Sequence, residues 1–317
     1  QGFETNLRIP IELERIYVHM RAGIGGYKEV MDEEMSILDH LPYVRKLRRA
    51  GRSKKNDCIG GIELEHVDLK GSFCALDKLN VKDMVILGDP GSGKTTLLKY
   101  ILISLAKGQG SEKLGLQSNP VPFFIPLRDL KDPVGESVPD FIHGVCQLRD
   151  FSISRDELNH ILDMEDGGIV LMDGLDEVSN EGMRIKACKW IDRARERFTK
   201  TRFIVTSRFA GYLGRSRLEG AVLELSIQEF GSEEVKTFLT RWFETVEVAF
   251  HPLGDEETWR REGRKKASEL VQEIEQSEHI SKLAVNPLLL QIIALLHFDR
   301  GAKLPERGCR DRTVNWL

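Results

Sequence analysis

The chain has 317 residues, 41% of them hydrophobic and 30% charged, with a net charge of −4, which suits two or three globular units with a substantial core. So small a charge gives no reason to expect nucleic acid or an acidic membrane as the main partner, and no apolar run approaches the ~20 residues needed to span a bilayer. The five cysteines (Cys58, Cys74, Cys146, Cys188, Cys309) are scattered without a CxxC pair, and nothing resembles a signal peptide, so reduced buried thiols in a cytoplasmic protein are expected.

Taken in order, residues 1–70 form an N-terminal region with one strand-like run, Glu14 to Met20, and a basic linker, Arg45 to Lys55. That linker holds seven lysines and arginines but no stacking aromatic, so it reads as solvated chain rather than as a nucleic-acid contact. Residues 71–226 alternate strands with helices. Met84 to Leu87 is a buried strand, and Thr95 to Ala106 a helix with Leu97, Leu98, Ile101, Leu102 and Leu105 inward. Val121 to Leu127 is a strand that Pro122 and Pro126 push toward a sheet edge. Two helices follow, around Phe141 and after a Ser154–Glu157 capping box. His143 and Cys146, three apart, fall on the first of these and read as packing residues rather than metal ligands.

Next come an apolar strand, Ile169 to Asp173, a helix from Glu181 to Phe198, a strand Phe203 to Thr206, and a short strand Val222 to Leu225. Such alternation predicts an α/β fold with a parallel sheet flanked by helices, whose ligand edge is the C-terminal edge of its strands. Residues 227–317 read as a small all-helical unit, with Ser232 capping its first helix and Pro287 starting or kinking a greasy one. The chain opens at Gln1 and stops soon after a helical segment, as expected of a piece of something longer.

The chemistry gathers at the strand ends. Gly88, Asp89, Pro90, Gly91, Ser92, Gly93, Lys94, Thr95 and Thr96 spell GDPGSGKTT, the full Walker A pattern, between a strand and a helix. In that setting backbone N–H groups and the helix N-terminus face a phosphate chain, Lys94 neutralises the outer phosphates and the Thr95 hydroxyl holds Mg²⁺. Asp173 closes its strand as the metal carboxylate, and Asp176 or Glu177, with Asp176 placed first, orients the attacking water. Arg208, after FIVTS, can read a third phosphate with its planar fork. ATP is favoured over GTP because Asn80 to Asp83 gives NVKD, not the guanine-reading NKxD.

GDPGSGKTTLLKY, PFFIPLRDL, IVLMDGLDE, FIVTSR and NPLLL, in this order, resemble the NACHT family of the STAND class of P-loop NTPases, over about Phe73 to Pro305. The resemblance implies Asp173 as the magnesium acid, Asp176 and Glu177 as the hydrolytic acids, Arg208 as the sensor arginine, and Pro287 as the proline packed near the adenine. It also implies an extra strand between the Walker A and Walker B strands, and a helical unit that acts as a lid, truncated here before a winged-helix domain. The function it implies is an ATP-binding, slowly hydrolysing switch that exchanges ADP for ATP and forms a homo-oligomer on activation. Such switches serve NLR-like signalling and, in bacteria, antiphage defence, with effector and sensor domains outside this chain. The alternative reading is a continuously cycling nucleic-acid-remodelling ATPase that uses the basic linker.

Overall fold

The computed structural model describes residues 13–24, 58–59, 62–63, 67–131, 133–164 and 167–300, with backbone alone at 58–59, 62–63 and 300. The basic run Arg45 to Lys55 and the terminal ERGCRDRTVNWL lie outside the described residues. The chain divides into one unit spanning His19–Glu229 and a second that joins the described parts of Gln1–Val18 and Phe230–Leu317.

The N-terminal run differs from expectation. Leu13–Ile16 is a single helical turn, α1, closed by the Tyr17 N–H donating to the Leu13 carbonyl at 2.9 Å. Tyr17 and Val18 are both buried although adjacent, so the apparent alternation of Glu14 to Met20 does not correspond to a two-faced strand. The strand comes later, as β1 (Ala22–Ile24). A short antiparallel pair, β2 (Cys58–Ile59) and β3 (Ile62–Glu63), precedes helix α2 (Leu69–Leu79).

The remaining elements of this unit alternate: β4 (Asp83–Leu87), α3 (Lys94–Ala106), β5 (Val121–Pro126), α4 (Val138–Gln147), α5 (Arg155–Asp163), β6 (Gly168–Asp173), α6 (Glu181–Arg197), β7 (Arg202–Ser207) and β8 (Val222–Ile227). Both α4 and α5 open with capping boxes, Ser137 with Asp140 and Ser154 with Glu157, which satisfy helix-end N–H groups from side chains. The sheet order is β1-β8-β4-β7-β6-β5. β4 through β8 run parallel and β1 pairs antiparallel with β8. β7 therefore stands between β4 and β6 as the extra strand, and β5, with its prolines, takes the edge.

Met84, Val85, Ile86, Ile169 to Met172 and Phe203 to Val205 are at most 1% exposed, as strands covered on both faces must be. At the strand beginnings, Asp83 accepts from the Phe203 N–H at 2.9 Å and from Arg195 Nε at 2.7 Å, and Arg195 reaches Asp192 at 2.6 Å. This buried cluster ties β4, β7 and α6 together. Cys188 is buried in α6, where burial pushes its thiol up to about 12, whereas Cys74 is exposed on α2, against the expectation of buried thiols throughout.

The second unit is helical: α1, α7 (Ser232–Phe250), α8 (Glu256–Gln276), α9 (Glu278–Ala284) and α10 (Pro287–Arg300). Ser232 is the first helical residue of α7 rather than its cap, because the extended residue is Gly231, whose N–H donates to Glu234 at 3.0 Å. Phe238, Leu239, Trp242, Phe243 and Val246 meet Ala267, Leu270 and Ile274 in its core. α8 approaches α7 closely at Gly263, where a Cβ would fall 2.7 Å from the Glu244 Cα. Pro287 starts α10 without kinking it, and the Asn286 side chain accepts from the Leu288 and Leu289 N–H groups at 3.1 and 3.3 Å.

Candidate functional site

Strand register brings the candidate residues to one level. Leu87 lies opposite Ser207 and Ser226, and Asp173 opposite Pro126. The loops after β4, β6 and β7 therefore leave the same edge of the sheet. The Gly88–Gly93 loop turns through Gly91 (φ 77°) and Gly93 (φ 92°), a left-handed backbone that other residues rarely adopt. Gly88 has a packing reason as well: a Cβ there would sit 2.6 Å from Ser92 Oγ. Gly93 caps α3 with no side chain, so the first N–H groups of this 13-residue helix are left to an outside acceptor.

Lys94 folds back on the loop, donating to the Gly88 carbonyl at 2.7 Å and to the Asp89 carbonyl at 2.9 Å. Burial holds its ammonium below the ordinary lysine value, against the opposing pull of Asp176. The Thr95 hydroxyl donates to Asp173 Oδ2 at 2.8 Å, and the Thr206 hydroxyl donates to Asp173 Oδ1 at 2.7 Å. A hydroxyl and a carboxylate oxygen side by side are hard oxygen donors, the kind Mg²⁺ takes, and Mg²⁺ commonly binds through one or two such groups with phosphates and waters. Among the described residues no group of three or more His, Cys, Asp and Glu could hold a metal by itself, and the Thr95–Asp173 pair fits an ion shared with phosphates. His143, read from the sequence as a packing residue, has Nδ1 2.8 Å from the Ile153 carbonyl and Nε2 2.9 Å from Gln147 Nε2.

After Asp173 the chain reverses at Gly174 (φ 78°) into a 3-10 turn, Leu175–Glu177. The turn separates the two acids. Asp176 accepts from the Arg208 N–H at 2.9 Å and from Arg208 Nε at 2.9 Å, so both its oxygens serve one residue. It is wedged there by Gly211, where a Cβ would lie 2.4 Å from its own Cβ. Glu177 has the looser partner, Arg128 Nη1 at 3.7 Å. Arg208 remains half-exposed at the sheet edge.

The geometry thus gathers Gly88 to Thr96, Asp173, Asp176, Glu177 and Arg208 around the end of β4. Pro287 is the first residue of α10, in the second unit. Three residues escaped sequence reasoning. Met20 packs its sulfur where a Gly93 Cβ would lie 2.9 Å away, brought there by the β1–β8 ladder, which no local motif announces. Thr206 reads simply as strand. Arg128, in PFFIPLRDL, stands at the end of β5, which pairs with β6 and so places it beside Glu177.

A family model of the NACHT domain matches residues 82–245. A search of curated proteins gives no match. Among solved structures the chain is similar to the Drosophila ORC bound to DNA, at 16% identity and a TM-score of 0.36, over 69% of this chain and 61% of that one. It is also similar to a Thermotoga maritima RuvB variant, at 14% identity and 0.30, over 74% and 70% of the two chains. The Aeropyrum pernix ORC2 protein matches at 14% and 0.33, over 71% and 65%. The chain spans about three fifths of the Drosophila ORC chain, and TM-scores this low support no argument about mechanism.

Proposed function

Since the chain belongs to the NACHT family of P-loop NTPases, its family model covering residues 82–245, we propose that it is a Mg²⁺-dependent ATP-binding switch that hydrolyses slowly between two signalling states. The observation that carries this reading is the Thr95–Asp173 contact at 2.8 Å beside Lys94, in a loop whose helix N-terminus has no side-chain cap. The Ser92 hydroxyl, buried in the same loop and without a hydrogen-bond partner among the described residues, adds a polar group suited to a phosphate oxygen. Mg²⁺, held by Thr95 and Asp173 when bound, would neutralise charge on the outer phosphates.

The residues of this chain then divide the work. Loop N–H groups and Lys94 bind the phosphates, which requires Lys94 to exchange its two carbonyl partners for phosphate oxygens. Glu177 orients a water and takes its proton as the water attacks the third phosphorus and the bond to the bridging oxygen breaks. Asp176 holds Arg208 at the edge where a third phosphate arrives. Supporting this division, Asp176 spends both oxygens on Arg208, whereas among the described residues Glu177 has its ion pair with the more distant Arg128. Met20 supplies an apolar wall against the phosphate loop at Gly93, and Pro287 is the family's expected adenine contact.

A third phosphate adds charge that Lys94, Arg208 and the metal can hold in one state and not in the other, which is the differential interaction a switch requires. Exchange of ADP for ATP then moves the helical unit as a lid and permits homo-oligomerisation, with effector and sensor parts supplied from outside this chain and the output in cytoplasmic defence signalling. Single-turnover ATP hydrolysis tests the division of labour. Glu177→Gln is expected to slow turnover roughly a hundredfold with nucleotide affinity retained, whereas Asp176→Asn weakens discrimination of ATP from ADP. Unchanged hydrolysis in Glu177→Gln would reject Glu177 as the base.

A further inference from the structure

We infer that Thr206 is a positioning residue that couples the metal carboxylate to the acidic turn, an inference that rests on the magnesium–nucleotide reading above. Thr206 lies on β7, the strand between the Walker A and Walker B strands, and is fully buried. Its hydroxyl donates to Asp173 Oδ1 at 2.7 Å and accepts from the Gly174 N–H at 2.9 Å. A hydroxyl carries one donor hydrogen and lone pairs to spare, so one side-chain oxygen can do both jobs.

The two bonds act on different parts of the site. By engaging Oδ1, Thr206 leaves Oδ2 facing Thr95, the pair of oxygens placed to share a cation. If Thr95 turned its hydroxyl to the metal, the bond from Thr206 would still fix the orientation of the Asp173 carboxylate. Through the Gly174 N–H the same oxygen pins the peptide at the left-handed reversal, φ 78°. That reversal sets the direction in which Asp176 and Glu177 leave the strand. A β-branched hydroxyl residue at the middle of a covered sheet is stiff about χ1, so the junction is held by packing rather than by a mobile side chain.

Hydrogen bonds to ligating carboxylates typically govern metal affinity by roughly ten- to a hundredfold. The predicted signature is therefore a selective loss of the magnesium effect on nucleotide binding. Binding of a fluorescent ATP analogue to the full chain, in Mg²⁺ and in EDTA, measures it without reference to turnover. Thr206→Val preserves shape and removes both bonds. It is expected to reduce the tightening produced by Mg²⁺ by roughly tenfold or more while affinity in EDTA stays within about twofold. Thr206→Ser, which keeps the hydroxyl, restores the wild-type difference.

A valine variant with the full magnesium effect overturns the inference, as does equal loss in Mg²⁺ and EDTA, or a serine variant that behaves as valine. If Thr206→Val does not fold, Thr206→Cys keeps the packing with only a weak donor, and an undiminished magnesium effect there overturns it equally. A wild-type chain with no magnesium effect would instead reject the metal reading beneath it, and this inference with it.

Discussion

Lys94 donates to the carbonyls of Gly88 and Asp89, so its side chain and the loop hold one another in place. Charge-assisted contacts contribute roughly 1.5–3 kcal/mol each, so Lys94→Ala is expected to weaken ATP binding at least tenfold to a hundredfold in a titration with the fluorescent analogue. Undiminished affinity would reject the phosphate-loop assignment. The Walker residues were legible because their chemistry is written in consecutive letters. For Asp176 and Glu177, adjacency in sequence hides that a 3-10 turn aims one at Arg208 and the other toward Arg128. Thr206 was not legible at all, because a threonine in a β-branched run has a sufficient explanation in strand propensity.

Among elements, the parallel strands were read correctly because apolar runs bounded by polar residues are what two-sided burial demands, and the runs of β4 and β6 stop at Gly88 and Asp173. Elements whose position depends on distant pairing were not. β1 is three residues long and owes its place to the ladder with β8, Ala22 against Ile227, a contact no window of the sequence contains. The opposite ends of the strands are held by charge as well as by apolar packing. Arg195 donates to Asp83 and Asp192 and also reaches the Glu219 and Ala221 carbonyls at 2.7 and 3.2 Å. Replacing it by methionine keeps much of the volume but removes the close cation from two buried carboxylates, leaving Asp83 the more distant Lys82 at 4.0 Å, and breaking such a cluster costs about 3–5 kcal/mol. Urea unfolding of Arg195→Met should show a midpoint lowered accordingly. Because Asp83 starts β4 while the phosphate loop follows its end, the folded variant should retain nucleotide affinity. A midpoint unchanged within error would mean that this cluster contributes little to the stability of the sheet.

At the scale of the molecule, the sheet unit carries the Walker A loop and Asp173, and the helical unit carries Pro287 at the start of α10. The switch reading requires that the nucleotide be felt in both. A ligand at about 100 times its dissociation constant stabilises whatever it binds by about 2.7 kcal/mol, equivalent to roughly a hundredfold slowing of amide exchange where exchange needs that part to unfold. Amides of Gly88 to Thr96, Asp173 to Glu177 and Arg208 should therefore slow on addition of Mg·ATP. If Pro287 meets the base, peptides covering Asn286 to Leu290 slow as well, and they respond differently to ADP and ATP if α10 belongs to a moving lid. Hydrogen exchange followed by mass spectrometry resolves the two sets in one experiment. Protection confined to the sheet unit would retain the phosphate site and remove Pro287 from it. Protection in both sets that is equal for ADP and ATP would reject the switch, because a ligand shifts an equilibrium only by its differential affinity for the two states.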